Sequence, residues 1–495
     1  MAYHLESIDI YLRPLPPGRM RFVLGKSGRN AKPEPKKNQA PKGKVDAGEK
    51  NRRPGAFLVT RVRVSDDAGN TATGVSGDRP SYGWLDKRPD FTGPEKLARL
   101  FDLIKKSREV YLVKPDFDSP FAAWHRSYEA LQGPGKAANH EAVTISFAAS
   151  LFERAIVDAV CKLQNVSVHQ AVKRDLLGLD LEAVSPELKN LDLPKLVLPR
   201  PRVRFHVRHT VGGADPLTAE DWPPENRIND GEPETLEEYV SRDGVRFFKV
   251  KISGDPAGDL DRLRRIWQVV QKANEPVITL DGNESYDDIE SFSKLVESIE
   301  SADEGLFQHL LFIEQPMPRR LTHDPATAPV IQKIAAKKPL VIDEADGFLG
   351  AFPQAFEIGY SGVSHKNCKG FFKSLINLAW CHHFEATTDR EAFMSGEDLS
   401  NMPIIPIQQD FAALGILGIE HTERNGHHYT YGLPFLTKNE KSQLREHHPD
   451  LYTGRDGEMF LDIQDGAVMC PSIQIPGFGV AFEPDWDALV PLEEW

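Results

Sequence analysis

Cysteine is scarce in this chain. Only four of its 495 residues are cysteines, at positions 161, 368, 381 and 470. No two of them form a Cys-x-x-Cys pair, so the pattern suggests neither a zinc site of that kind nor a disulfide framework. Isolated cysteines are typical of a protein whose thiols stay reduced, and we therefore expect a cytoplasmic location.

Long hydrophobic runs are also missing. No apolar stretch approaches the roughly 20 residues that a membrane-spanning helix needs. The first residues contain no basic segment followed by an apolar one, so a signal peptide is not expected. These absences predict a protein with no membrane partner.

Positive charge is not in excess. The chain has 60 Lys and Arg against 73 Asp and Glu, which gives a formal net charge of −13 and a pI near 5.7. Binding to nucleic acid needs a basic footprint, so nucleic acid is not expected as the main partner. The overall charge says little about small substrates, because local charge decides those.

The first region, residues 1–135, carries strand-like alternation. Apolar and polar residues alternate over 7–13 and strongly over 57–65. The segment 66–70 has the composition of a hairpin turn, and 71–76 would be the returning strand. Helical stretches follow, so we expect an α+β domain.

A basic insert, residues 26–53, interrupts this region. It contains ten Lys or Arg against three acids, with prolines, glycines and almost no apolar residues. Such a segment cannot bury enough surface to order itself, so we predict disorder. Two interpretations stay open: a solvated loop, or a basic lid that attracts an anionic substrate.

Residues 136–430 show a different pattern. After an amphipathic helical stretch, short apolar runs alternate with helical ones, which predicts a parallel sheet long enough to close as a barrel. Residues 431–495 are rich in glycine and proline near their end and are expected to pack back on the first region.

Charged side chains stand where the predicted barrel strands end, which is where barrel enzymes keep their active sites. Any one of them alone is ordinary, because strands commonly leave the core through a charged residue. Together they form an ordered set: Lys249 and Lys251, Asp281, Glu314, Asp343, and Lys366.

Three carboxylates that converge repel one another and need a cation, and oxygen ligands suit Mg²⁺. A divalent cation stabilises the enolate that forms when a carbon next to a carboxylate loses its proton. The base would be a lysine whose pKa is lowered by a neighbouring cation. Lys249 and Lys251 share one strand face and supply such a pair.

The ordered set resembles the enolase superfamily, in particular its muconate-lactonizing-enzyme-like subgroup (the mandelate racemase/muconate lactonizing enzyme family). The motifs that carry the resemblance are Lys249-x-Lys251, Asp281 with Asn283, Glu314-Gln315-Pro316, Asp343-Glu344, and Lys366. The resemblance implies a modified (β/α)8, TIM-type (β/α)7β barrel with an N-terminal α+β capping domain.

It also implies the roles of the charged residues. Asp281, Glu314 and Asp343 would bind Mg²⁺, with Mn²⁺ as a substitute. Lys251 and Lys366 would be acid/bases on opposite faces of the substrate. Lys249 would contact the substrate carboxylate and lower the pKa of Lys251.

Further residues are candidates for substrate contact. Lys369 competes with Lys366 for the role on the sixth strand, although parity with Ser364 favours Lys366. Glu344 would lie behind the ligands and pair with a lysine. The substrate-binding candidates are Lys249, Asn283, Glu344, Glu397, Lys369 and Tyr82, with Trp84 as the alternative to Tyr82.

The predicted reaction is Mg²⁺-dependent abstraction of a proton α to a carboxylate through an enolate, with racemisation or epimerisation favoured. A dehydratase, another lyase or a cycloisomerase of the same superfamily is the alternative. A barrel that binds a metal and a ligand without turnover is the alternative from another class. The expected partner is a small carboxylate, and the sequence leaves open whether the chain forms a homo-oligomer.

Overall fold

A computed structural model describes residues 2–15, 23–28, 32, 56–397, 401–433 and 435–495. Most of the predicted basic insert, residues 29–31 and 33–53, lies outside the described residues. Its disorder and its two interpretations therefore stay predictions.

An antiparallel sheet forms the N-terminal domain. Its three long strands are Tyr3–Pro14, Ala56–Asp66 and Thr71–Asp78. The first strand alternates as the sequence predicts, with Ile8 and Ile10 buried. Its outer edge is covered by two short strands, Asp116–Phe117 and Val490–Pro491.

Three helices complete this domain, and the third packs between its sheet and the barrel. They are Gly93–Val113, Pro120–Ala137 and Ala142–Leu163. Almost every residue of the third helix is buried. The sheet comes so close to this helix that a Cβ atom at Gly74 would lie 2.0 Å from the carbonyl oxygen of Ala155. A larger residue at this position would therefore separate the two layers.

Among the described residues, eight parallel strands close into a barrel, because the last strand pairs with the first. In order they are Arg204–Val211, Phe247–Lys251, Val277–Asp281, Leu310–Glu314, Leu340–Ile342, Gly362–His365, Phe393–Gly396 and His421–Arg424. The main helices that follow the first seven are Leu236–Asp243, Pro256–Val270, Ile289–Ala302, Ala328–Ala335, Ala351–Ile358, Phe371–Thr387 and Pro406–Leu417. The predicted barrel with an N-terminal α+β domain is confirmed.

Strand register positions the charged residues. Lys251 is directly opposite Asp281, and Asp281 is directly opposite Glu314 on the next strand. Side chains alternate along a strand, so Lys249 shares the inward face with Lys251 while Val250 packs outward against the helices. Backbone pairing therefore places three functional groups in one row across three strands.

The C-terminal residues contact the N-terminal domain. Arg13 of the first strand forms a buried ion pair with Glu440 on the helix Lys438–His447. The backbone N–H of Phe478 donates to Asp158 on the long buried helix at 2.7 Å. No described helix is both long enough and apolar enough to cross a bilayer.

Candidate active site

The three carboxylates predicted as metal ligands lie at the carboxyl ends of adjacent barrel strands. Asp281 and Glu314 end the third and fourth strands, and Asp343 immediately follows the fifth. All three side chains are buried. Burial of three like charges is costly, so their neighbours must compensate.

The amine of Lys249 is the positive charge that contacts most of these carboxylates. Its Nζ atom lies 3.1 Å from Asp281, 2.6 Å from Glu314 and 3.0 Å from Glu423, and it also contacts Glu397. Burial opposes the charged form, but the four carboxylates raise the pKa of Lys249 well above its usual range. The lysine predicted to contact a substrate carboxylate thus contacts four carboxylates of the protein.

Lys251 ends the second barrel strand and Lys366 immediately follows the sixth, so the two lysines lie on opposite walls of the eight-stranded barrel. Lys251 Nζ is 2.6 Å from Asp281 and 3.0 Å from Glu423. Lys366 Nζ donates to Asp343 at 2.5 Å. Each amine therefore reaches one carboxylate of the predicted metal-binding set.

Lys366 and Lys369 differ in what surrounds them. Lys366 is 8 % exposed, and its amine faces the ring of Trp84 from the N-terminal domain, 4.5 Å from the ring centroid. Lys369 lies deeper, 2.6 Å from Ser364 and 3.1 Å from Asp346. Lys366 therefore lies at the boundary between the two domains, and Lys369 lies behind it.

Glu314 is the least compensated carboxylate. Lys249 Nζ lies 2.6 Å from one of its oxygens, but neither oxygen accepts a well-aligned hydrogen bond from a described N–H or O–H group. Burial, and then the charges of Asp281 and Glu397, raise the pKa of Glu314 well above its usual range. By contrast, although burial opposes it, Lys249 and then Lys251 lower the pKa of Asp281 to about 2.

These observations test whether the residues fit a magnesium ion. No group of three or more His, Cys, Asp and Glu residues in the described part of the chain is arranged as a ready metal site, and Lys249 Nζ lies where Asp281 and Glu314 meet. The donors themselves suit a hard divalent ion, since all three are carboxylates. The poorly compensated Glu314 also needs additional positive charge. The residues fit Mg²⁺ provided that the amine of Lys249 moves.

Glu397, predicted to contact substrate, belongs to the same buried cluster. Its carboxylate pairs with Arg208 and with Lys249. Burial opposes ionisation, but Arg208 and then Lys249 hold its pKa well below the usual range. Glu397 therefore links the predicted ligands to an arginine beneath them.

Glu344 and Asn283 hold the N-terminal domain on the barrel. Lys87 of that domain donates to Glu344 at 2.6 Å and to the carbonyl oxygen of Asn283 at 2.7 Å. The Asn283 side chain also donates to Glu344 at 3.2 Å. Arg319 adds hydrogen bonds to the carbonyl oxygens of Trp84 and Leu85. Glu344 thus pairs with a lysine, and that lysine belongs to the other domain.

Tyr82 lies outside this cluster. It is 36 % exposed, and its ring lies against Gly93. Tyr82 and Trp84 belong to the four-residue helix Tyr82–Leu85, and residues two apart on a helix point to different sides. The helix therefore directs Trp84 toward Lys366 and turns Tyr82 away from it.

Arg208 and Lys87 pair with predicted site residues but were not themselves predicted from the sequence. Arg208 could have been predicted, because polar residues occupy the alternate positions 204, 206, 208 and 210 of the first barrel strand. This alternation is typical of side chains that line a polar barrel interior. Lys87 could not have been predicted, because its partner Glu344 is distant in sequence and belongs to another domain.

No family model matches the chain. An L-Lys-D/L-Arg epimerase of Methylococcus capsulatus is 32 % identical over 131 residues. That alignment spans 26 % of this chain and about a third (33 %) of the epimerase.

Solved structures match nearly the whole chain. An enolase from Bradyrhizobium, complexed with magnesium and mandelic acid, has a TM-score of 0.56 and 15 % identity, covering 99 % of this chain and 98 % of that one. A dipeptide epimerase from Cytophaga hutchinsonii, complexed with Mg and D-Ala-L-Val, has a TM-score of 0.55 and 12 % identity, covering 99 % of both chains. A mandelate racemase/muconate lactonizing enzyme from Roseovarius nubinhibens has a TM-score of 0.53 and 13 % identity, covering 100 % of this chain and 98 % of that one. At these identities the likeness establishes the fold.

Proposed function

We propose that this chain, which has the capped-barrel fold of the enolase superfamily, is an Mg²⁺-dependent enzyme that removes the proton α to a substrate carboxylate, most simply as a racemase or epimerase. The observation that carries the proposal is the pair of buried lysines on opposite barrel walls. Lys251 and Lys366 each contact a carboxylate of the set Asp281, Glu314 and Asp343.

The two lysines suit proton transfer at one carbon from two sides. The Nζ atom of one lysine, once neutral, accepts the α-proton, and the Nζ atom of the other donates a proton to the opposite face. These two proton transfers invert the configuration at the α-carbon and need no leaving group. Racemisation or epimerisation is therefore the simplest outcome.

The metal would be held by Asp281, Glu314 and Asp343. When bound, Mg²⁺ supplies positive charge that stabilises an enolate. Trp84 and the ion pairs that Lys87 forms with the buried carboxylates of Glu284 and Glu344 cover the cluster from the N-terminal domain, which limits the access of water to the carbanionic carbon.

The relatives indicate which substrates to test first. The epimerase of Methylococcus capsulatus acts on a Lys-Arg dipeptide by name, and the Cytophaga hutchinsonii structure holds D-Ala-L-Val. The Bradyrhizobium structure holds mandelic acid. The test set is therefore a panel of dipeptides and 2-hydroxy acids.

The experiment is α-proton exchange in D₂O, followed by NMR, with and without Mg²⁺. We expect exchange of one substrate class that needs Mg²⁺, and we expect Lys251→Ala to abolish it while leaving substrate affinity largely intact. Lys333→Ala removes an exposed lysine that pairs with Glu297, and it is the matched control.

Two results would contradict the proposal. If α-proton exchange persists in Lys251→Ala, Lys251 is not the acid/base. Tight binding of a carboxylate with no exchange by the native protein would instead favour a binding protein without turnover. Product analysis separates epimerisation from elimination or cycloisomerisation.

A further inference from the structure

The amine of Lys249 occupies the point where the predicted metal ligands meet. It lies 3.1 Å from an oxygen of Asp281 and 2.6 Å from an oxygen of Glu314, and all three side chains are buried. The ammonium group is therefore the cation that now separates these two carboxylates.

One ammonium group is a poor match for its surroundings. It carries a single charge and three N–H donors, whereas four carboxylates contact it: those of Asp281, Glu314, Glu397 and Glu423. Glu314 is left without a well-aligned N–H donor among the described residues. Lys251 also pairs with Asp281 and Glu423, and Arg208 pairs with Glu397, so three cations serve the four carboxylates and one negative charge is left over.

A divalent ion and this amine cannot share the position. Mg²⁺ binds oxygen ligands at about 2.0–2.1 Å. An ion bound to the Glu314 oxygen that Nζ now contacts would lie within about 5 Å of that amine, and two cations at that distance repel. Metal binding therefore favours movement of the amine away from these oxygens.

The amine of Lys249 has two other carboxylate partners in the cluster. Glu397 immediately follows the seventh strand and Glu423 lies on the eighth; both also contact Nζ and are not among the predicted metal ligands. Both are held from the other side, Glu397 by Arg208 and Glu423 by the Thr210 hydroxyl. A small rotation of the flexible lysine side chain keeps these two contacts while it releases Asp281 and Glu314.

We propose that Lys249 is an exchangeable internal cation: it holds Asp281 and Glu314 together until a divalent ion replaces it, and it then stays paired with Glu397 and Glu423. The inference rests on the proposed function, because it assumes that these carboxylates bind Mg²⁺. It adds that the affinity for the metal is set by a lysine that competes for the same oxygens.

The test is Mg²⁺ affinity, measured by calorimetric titration at pH 8 without substrate. Lys249→Met removes the competing charge at similar side-chain volume, so we expect it to bind Mg²⁺ at least about tenfold more tightly than the native protein. Lys373→Met is the matched control: it also removes a buried lysine, but one that pairs with Asp346. We expect it to stay within about threefold of native affinity.

The outcomes separate the two proposals. Equal or weaker Mg²⁺ affinity in folded Lys249→Met overturns the exchange and leaves the proposed function standing. No Mg²⁺ binding by any of the three proteins overturns both. Thermal unfolding verifies that each variant is folded, and Lys249→Gln replaces Lys249→Met if that variant does not fold.

A second measurement uses the native protein alone. Crystals grown with Mn²⁺ locate the ion by its anomalous signal. We expect Nζ of Lys249 to have left Asp281 and Glu314 for Glu397 and Glu423. An ion bound to Asp281 and Glu314 with the amine still between them would overturn the exchange.

Discussion

Lys366 and Lys369 are only three residues apart, but the structure separates their surroundings. Lys366 lies under Trp84 at the domain boundary, whereas Lys369 is enclosed by Ser364 and Asp346. A group that touches substrate must reach the space between the domains. This favours Lys366 as the second acid/base, as strand parity with Ser364 also predicts.

A pair of variants tests this assignment. Lys366→Ala removes one acid/base, so we expect the rate of α-proton exchange through that face to fall by about 10²–10⁴-fold. We expect Lys369→Ala to lower the rate far less, because Lys369 is enclosed by Ser364, Asp343 and Asp346 rather than facing the domain boundary. NMR exchange in D₂O with each enantiomer measures both.

The reverse ranking, with Lys369→Ala inactive and Lys366→Ala active, would assign the acid/base role to Lys369. Circular dichroism at the assay temperature verifies that both variants are folded. A rate that falls for one enantiomer only identifies the face that each lysine serves.

A site residue could be predicted from the sequence only where the residues around it form a recognisable pattern. Asp281 and Lys251 were predictable because each ends an apolar strand, and register places them together. Tyr82 and Trp84 could not be told apart, because the direction of a four-residue helix is set by packing rather than by its own residues. The contact of Lys249 with four carboxylates was equally hidden, since it depends on strands seven and eight.

At the scale of elements, the segment after the helix Tyr82–Leu85 connects the N-terminal domain to the barrel mouth through ion pairs. Lys87 contacts Glu344 and, at 3.1 Å, Glu284, and Arg319 pairs with Glu284 at 2.8 Å. This network of two cations and two buried carboxylates fixes Trp84 above Lys366. Trp84 is therefore a wall of the site that stays in place only while the ion pairs hold.

Lys87→Met tests the network. The change leaves Glu344 buried without its main cation, so we expect a loss of about 1–3 kcal/mol in the free energy of unfolding. This value is discounted because the Lys87 side chain is 30 % exposed. We also expect slower α-proton exchange, since Trp84 loses its support. Urea unfolding and the exchange assay measure the two effects.

Lys106→Met is the matched control, because Lys106 forms an exposed pair with Glu109 one turn away on a helix. We expect it to cost less than about 0.5 kcal/mol. Equal losses in the two variants would show that the interdomain network contributes no more than a surface pair.

At the scale of the whole molecule, Glu153 joins the two domains. It lies on the buried helix Ala142–Leu163, and its carboxyl accepts the backbone N–H of Phe372 at the start of a barrel helix. Burial raises the pKa of Glu153 from 4.5 to about 8, although the N–H of Phe372 and the charge of Arg154 oppose the rise. The folded protein thus keeps a proton that the unfolded chain releases.

The sign of the pH effect follows. A carboxyl whose pKa is raised by folding lowers stability progressively as pH rises from about 4.5 to about 8. Glu153→Gln cannot ionise, so we expect its advantage in unfolding free energy over the native protein to grow across this window. Urea unfolding at several pH values measures the difference.

Glu109→Gln, at an exposed site, controls for a general effect of removing an acid. A difference between Glu153→Gln and the native protein that stays constant from pH 5 to pH 9 would show that Glu153 is ionised at all these values.

The barrel itself was the most predictable part of the molecule. Apolar runs that alternate with helical stretches predict strand-helix units, and such units close only in a few ways. The way in which the N-terminal domain lies over the barrel was not predictable, because Lys87 and Glu344 carry no local pattern that links them. Long-range pairs of this kind depend on the finished fold.

The row formed by Lys251, Asp281 and Glu314 has an evolutionary consequence. Main-chain pairing between strands places these groups side by side. This pairing does not depend directly on the side chains of the surrounding helices. Mutations can therefore accumulate over most of the chain without moving the row. The same fold is found, over almost all of this chain, in proteins that share only 12–15 % of their residues with it.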